Sequence, residues 1–201
     1  MRTRSTLGAL LLSTALSAQF QMNPELGLNF CKLAGDEVPG LEYKAQVGWQ
    51  LGIDFRIGDR LYFQPGIHFV RTATAVKLAG SDTTTLEDNL IRSSVKAKVL
   101  VGFNLIHDET FKLRLNAGPT YDVLLSVDNK DDEIDFNKDD YNAGSFNLDA
   151  GIGVDLWILS AETGVSYGLS NSYKETDVLS SDAKYFTWYV TLGLVIGSSG
   201  N

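Results

Sequence analysis

A two-residue alternation runs through most of this chain, and it limits what the chain can fold into. Tyr43, Ala45, Val47, Trp49, Leu51, Ile53, Phe55 and Ile57 alternate with Lys44, Gln46, Gly48, Gln50, Gly52, Asp54 and Arg56. Successive side chains of a strand point to opposite faces, so this pattern predicts a strand with one wholly apolar face. Gly58-Asp59 is a turn signal, after which Leu61, Phe63, Pro65, Ile67 and Phe69 alternate with Tyr62, Gln64, Gly66 and His68. Two strands joined so tightly make a hairpin.

The pattern recurs along the chain. Val95, Ala97, Val99, Val101, Phe103 and Leu105 oppose Ser94, Lys96, Lys98, Leu100, Gly102 and Asn104. After a polar turn at 107–110, Phe111, Leu113, Leu115, Ala117, Pro119, Tyr121, Val123 and Leu125 face away from Lys112, Arg114, Asn116, Gly118, Thr120, Asp122 and Leu124. A third hairpin turns near Trp157, with Asp149, Gly151, Gly153, Asp155, Glu162, Gly164, Ser166 and Gly168 on its polar side. A final strand sets Phe186, Trp188, Val190, Leu192, Leu194 and Ile196 against Tyr185, Thr187, Tyr189, Thr191 and Gly193. A shorter first strand, Leu26, Leu28 and Phe30, brings the total to about eight. Tight turns alternate with long connections at 33–42, 76–89, 127–142 and 171–183, which is the layout of an outer-membrane up-and-down barrel.

Alternation alone does not say which face is inside, because a lipocalin-like soluble barrel also alternates. The glycines favour the membrane arrangement. Gly48, Gly52, Gly66, Gly102, Gly118, Gly151, Gly153, Gly164, Gly168 and Gly193 all fall on the polar face. A water-exposed face gains nothing from them, whereas the crowded lumen of a narrow barrel needs small residues beside large ones. The apolar face carries aromatics towards strand ends, namely Tyr43, Phe55, Phe69, Phe111, Tyr121, Phe146, Tyr167 and Phe186, as membrane interfaces require. No segment approaches twenty consecutive apolar residues, so a membrane role has to come from strands.

Met1-Arg2-Thr3-Arg4, an apolar stretch over 7–16 and the small pair Ser17-Ala18 read as a secretory signal peptide, with cleavage expected after Ala18. The expected division is therefore a signal peptide over 1–18 and one barrel domain over 19–201. A formal charge of −8 argues against binding nucleic acid or anionic lipid headgroups through a basic surface. Cys31 is the single cysteine, which excludes an internal disulfide and a Cys-rich zinc site.

Laid out this way, the mature chain resembles the small outer-membrane β-barrel family abundant in Bacteroidetes and related to the PorT-like barrels. The resemblance rests on Gly27-Leu28-Asn29-Phe30, Gln64-Pro65, Ala117-Gly118-Pro119, Gly151-Ile152-Gly153 and Leu192-Gly193-Leu194, in that order and spacing. It implies a monomer in the outer membrane of a Gram-negative bacterium, with both termini periplasmic, outer-membrane lipid around it and the barrel-assembly machinery as a partner during insertion. Such barrels usually finish on an aromatic residue, and this chain finishes Ser198-Ser199-Gly200-Asn201.

The polar face carries Lys44, Arg56, Arg92, Lys96, Lys98, Lys112 and Arg114, with Glu25, Asp54, Asp122, Asp149, Asp155 and Glu162 as partners. About eight strands enclose a bore just wide enough for side chains to fill, so these groups are expected to form ion pairs rather than line a pore. His68 is expected to point inward, and an acyl-transferring or lipid-deacylating enzyme would need it beside Ser166 or Glu162. The two histidines, His68 and His107, lack metal-ligand spacing. Asp135, Asn137 and Asp139 fit the first ligand positions of an EF-hand, but Asp140 stands where its glycine belongs and Phe146 where its closing Glu belongs. The sequence thus assigns no catalytic, cofactor-binding or metal-binding residue and no cofactor. The expected function is a non-enzymatic outer-membrane barrel with acidic external loops, structural, adhesive or accessory to transport. A secreted lipocalin-like binder and a lipid-modifying outer-membrane enzyme remain the alternatives.

Overall fold

The computed structural model describes residues 20–34, 41–79, 85–129, 142–170 and 184–197. The expected signal peptide, most of the acidic 127–142 connection and the last four residues lie outside them. Among the described residues nine strands form in chain order: β1 (Phe20–Ala34), β2 (Leu41–Gly58), β3 (Leu61–Ala79), β4 (Thr85–His107), β5 (Phe111–Asn129), β6 (Gly144–Leu156), β7 (Leu159–Gly168), β8 (Lys184–Leu194) and β9 (Ile196–Gly197). From β1 to β8 each strand pairs antiparallel with its sequence neighbour, and β1 closes the sheet by pairing with both β2 and β8. The barrel wall has eight staves, because β9 only continues β8 beyond Val195 and pairs with Gln21 and Met22 of β1.

The burial pattern settles which face is inside. Leu26 is 68 % exposed, Ile67 54 % and Val101 55 %, while Arg114 and Asp54 on the alternate positions are 0 % exposed. A soluble barrel would reverse this, since burying apolar surface is what drives its folding. Here the apolar side chains form an outer belt and the polar ones fill the lumen. Exposed apolar surface on this scale requires lipid around it.

The turn at one end between β6 and β7 puts Trp157 at φ 56°, a left-handed conformation that closes the hairpin in two residues. Aromatic side chains ring the belt towards both ends. Phe20 stacks on Phe55 near the tight turns, with centroids 5.7 Å apart, and Phe30 stacks on Trp188 near the long loops at 5.2 Å.

Two expectations are corrected. The first strand is not short: β1 has 15 residues and begins at Phe20, so Gln21, Asn23 and Glu25 also face the lumen. Its upstream half is masked in sequence because Met22 and Pro24 are weak strand formers beside Gln21 and Asn23. The expected connection over 76–89 is mostly strand, with β3 and β4 paired out to Ala79↔Thr85. β3 and β4, at 19 and 23 residues, exceed the roughly 9–11 that cross the hydrocarbon, whereas β7 has only 10. The wall therefore rises beyond the belt on the loop side along these strands.

Candidate functional site in the barrel lumen

The lumen is packed with charged and polar side chains in three tiers. Nearest the tight turns, Arg56 of β2 reaches across to β6 and β7, with Nη1 2.8 Å from Asp155 Oδ2 and Nη2 donating to Ser160 Oγ at 3.1 Å. Arg114 of β5 donates through Nε to Asp155 Oδ1 at 3.2 Å, through Nη2 to Ser160 Oγ at 2.9 Å and through Nη1 to Glu162. Asn116 donates to Glu162 Oε2 at 2.8 Å. Gly153 makes this possible: a Cβ there would sit 2.7 Å from Arg114 Nε, so only a glycine leaves the guanidinium its place.

The middle tier gathers Glu25 of β1, Asp54 of β2, Gln64 and His68 of β3, Lys98 of β4 and Thr191 of β8. Lys98 of β4 lies 2.6 Å from Asp54 Oδ2 and 3.2 Å from Glu25 Oε1. His68 Nε2 is 2.8 Å from Asp54 Oδ1 and 3.3 Å from Glu25 Oε1. Gln64 donates to Asp54 at 2.6 Å, and Thr191 donates to Glu25 at 3.1 Å. In the loop-side tier, Asp149 accepts from Lys96 at 3.3 Å, from Ser166 at 2.5 Å and from Thr120 at 3.1 Å. Asn147 donates to Asp122 at 2.9 Å, and Arg92 lies over the Tyr185 ring, 4.0 Å from its centroid.

Above Lys96 a cavity of about 30 Å³ opens between Cys31, Arg92, Ser145 and Tyr185, and smaller cavities of about 10 Å³ lie near the tight turns. A water needs roughly 10–15 Å³ measured this way, so these spaces suit one or two waters and no larger solute. Between them the charged groups are paired, while single buried atoms such as Arg56 Nε, the Tyr62 hydroxyl, Gln64 Oε1 and Asn116 Oδ1 have no hydrogen-bond partner among the described residues.

A family model described as "outer membrane protein beta-barrel domain" matches residues 13–174. The chain belongs to that family. Among solved structures, this outer-membrane barrel is similar to the outer membrane protein OprG from Pseudomonas aeruginosa, with a TM-score of 0.51 at 13 % identity, covering 90 % of this chain and 97 % of that one. It is also similar to Neisserial surface protein A, at TM-score 0.49 and 14 % identity over 89 % of this chain and 97 % of that one. A third similarity is to Ail, the attachment invasion locus protein of Yersinia pestis, at TM-score 0.42 and 14 % identity over 89 % and 99 %. At these identities the likeness concerns the fold. Comparison with curated proteins gives no match.

In this outer-membrane barrel the pairings anticipated for Arg56, Lys96, Lys98 and Arg114 form, with Asp155, Asp149, Asp54 and Glu162 as their partners. The enzyme alternative gains no support from the lumen. His68 points inward as expected, but Ser166 is engaged by Asp149 and Lys96, and Glu162 by Arg114 and Asn116. Among the described residues, the ion-pair contacts of His68 are with the carboxylates of Asp54 and Glu25. His107 sits at the tight-turn end, 2.7 Å from Asp59.

The convergence of Glu25, Asp54 and His68 is what sequence reasoning did not bring together. Their donor atoms all lie within 4.8 Å of one another, a spacing that suits a metal ion. The Lys98 ammonium already supplies the cation between the two carboxylates. The alternation puts Glu25, Asp54 and His68 on one face, but their meeting depends on the register of three neighbouring strands. Cys31 is a buried free thiol on the lumen side. Asp135, Asn137 and Asp139 lie outside the described residues.

Proposed function

We propose that this outer-membrane barrel is a non-enzymatic, monomeric membrane anchor with a closed lumen. Its long acidic connections face the exterior, its termini face the periplasm, and its role is structural, adhesive or accessory to transport. The observation that carries this is the combination of an apolar outer belt with a lumen filled by buried ion pairs. Such an interior leaves neither a water path nor a cleft for a substrate, and the parts free to meet a partner are the loops. We also place the chain beside the small Bacteroidetes-type, PorT-like barrels, supported by the strand motifs from Gly27 to Leu194.

The orientation is tested by single cysteines introduced at Asn137, in a long connection, and at Glu109, in a tight turn. In intact cells a membrane-impermeant maleimide should label the first and spare the second until the membrane is broken. Labelling of Glu109→Cys alone would turn the barrel over and end the external-loop proposal.

A further inference from the structure

Among the described side chains, charge on the outward face of the barrel is sparse, and its cations gather in one sector. Among residues whose side chains are described, the cations on that face are Lys32 of β1, Arg71 of β3 and Lys184 of β8. The one acid on it is Asp128 of β5, and β5 stands diametrically opposite β1 in the strand order. In a chain of formal charge −8, a stretch of wall holding cations without acids is a local reversal of sign. No carboxylate forms an ion pair with any of the three among the described residues.

Their position relative to the belt gives the patch its meaning. Lys32 pairs with Phe186 and Ala34 pairs with Lys184, so the two lysines are diagonal neighbours on one face, roughly 7–8 Å apart at the backbone. Two residues nearer the membrane on the same face, Phe30 stacks on Trp188 at 5.2 Å. Arg71 flanks them across the sheet: it pairs with Trp49, which pairs with Leu28 of β1, and Trp49 in turn packs on Phe69 at 5.4 Å. The cations thus follow directly beyond the aromatic girdle at the loop end. There, long side chains lay their methylene stems over aromatic rings and carry their charge into the headgroup layer.

We propose that Lys32 and Lys184, flanked by Arg71, form a docking site for the phosphate of a phosphorylated glycolipid in the outer leaflet. The choice of leaflet rests on the loop-outward orientation proposed above. Two ammonium groups and one guanidinium, with no carboxylate paired to them among the described residues, match a multivalent phosphate-bearing headgroup whose acyl chains lie along the apolar wall below. The lipid then contributes to holding β8, β1 and β3 at a fixed height in the membrane.

The test is native mass spectrometry of the whole protein released from mild detergent with added diphosphorylated, monophosphorylated or dephosphorylated lipid A. Wild type should retain the lipids in that order. Lys32→Gln should weaken retention of the diphosphorylated form about fivefold, and Lys32→Gln with Lys184→Gln about 30-fold. The double variant should no longer distinguish lipids by phosphate number, while Lys32→Arg with Lys184→Arg should keep the wild-type order. Inorganic phosphate at millimolar concentration should not displace the lipid; displacement would mean a free-anion site and overturn the lipid assignment. Equal retention by wild type and double variant, or no dependence on phosphate in wild type, overturns the proposal. The wild-type lipid series decides the question even if a variant inserts poorly. A protein that proved soluble without detergent would fail on the membrane account, a different outcome from a detergent-bound barrel that ignores phosphate.

Discussion

Lys98 and Asp54 stand two strands apart and meet over a glycine: the Lys98 ammonium lies 2.6 Å from Asp54 Oδ2, and Gly66 on the intervening strand pairs with both residues. A Cβ at position 66 would be 2.9 Å from Lys98 Cε and would collide with Asp54. Gly66→Val should therefore force the pair apart. Overpacking typically costs about 1–3 kcal/mol, and the separated charges add to this. Urea unfolding of the barrel refolded in detergent should show a lower midpoint, and an unchanged midpoint would mean that the middle tier tolerates rearrangement.

Asp155 receives Arg56 and Arg114 together, and Asp149 receives Lys96 with two hydroxyls. Removing one partner of a buried pair usually costs about 3–5 kcal/mol because the other charge is stranded. Asp155→Ala should lie towards the upper end, since it strands the Arg56 guanidinium and leaves Arg114 with Glu162 as its carboxylate partner. Asp149→Ala should fall within the range. The temperature at which the folded, compact band on an unboiled gel shifts to the unfolded position checks both, and Asp155→Ala should shift lower.

The strands, the turns and the identity of the inner face could be read from the sequence, because alternation and glycine placement are local signals. Which acid meets which base could not. Glu25 and Thr191 bond across 166 positions, and Arg56 and Asp155 across 99, so closure of the barrel alone decides those pairings. Register slips between Ala45 and Trp49 and between Ser93 and Ser94 interrupt the alternation on the loop side. A bulge shifts which residues share a face, so the period-two signal weakens where β2–β5 run on beyond the belt. The first half of β1 was hidden for a chemical reason: its outward positions include Met22 and Pro24 rather than a run of branched or aromatic residues.

The filled lumen carries an expectation for conductance. Purified wild-type protein in a planar bilayer should give no stable steps, and Asp149→Ala should lower stability without opening a large channel. Stable nanosiemens-scale steps from the wild type would show a continuous water path through the three tiers and favour a porin-like role.

Spin labels can report on the two faces of a single stave. Labels at Val99 and Ile152, which are 44 % and 43 % exposed on the belt, should be accessible to oxygen dissolved in the lipid. Labels at Lys98 and Gly151 should be shielded from it. A label at Val99 that instead reported an enclosed apolar cavity would restore the lipocalin-like alternative.

The central claim is that the apolar belt is solvated by the outer membrane, and fractionation of expressing cells tests it most directly. The protein should sediment with the outer membrane, resist extraction by high salt and carbonate, and come into solution only with detergent. Recovery as a soluble periplasmic protein, stable without detergent, would contradict the account.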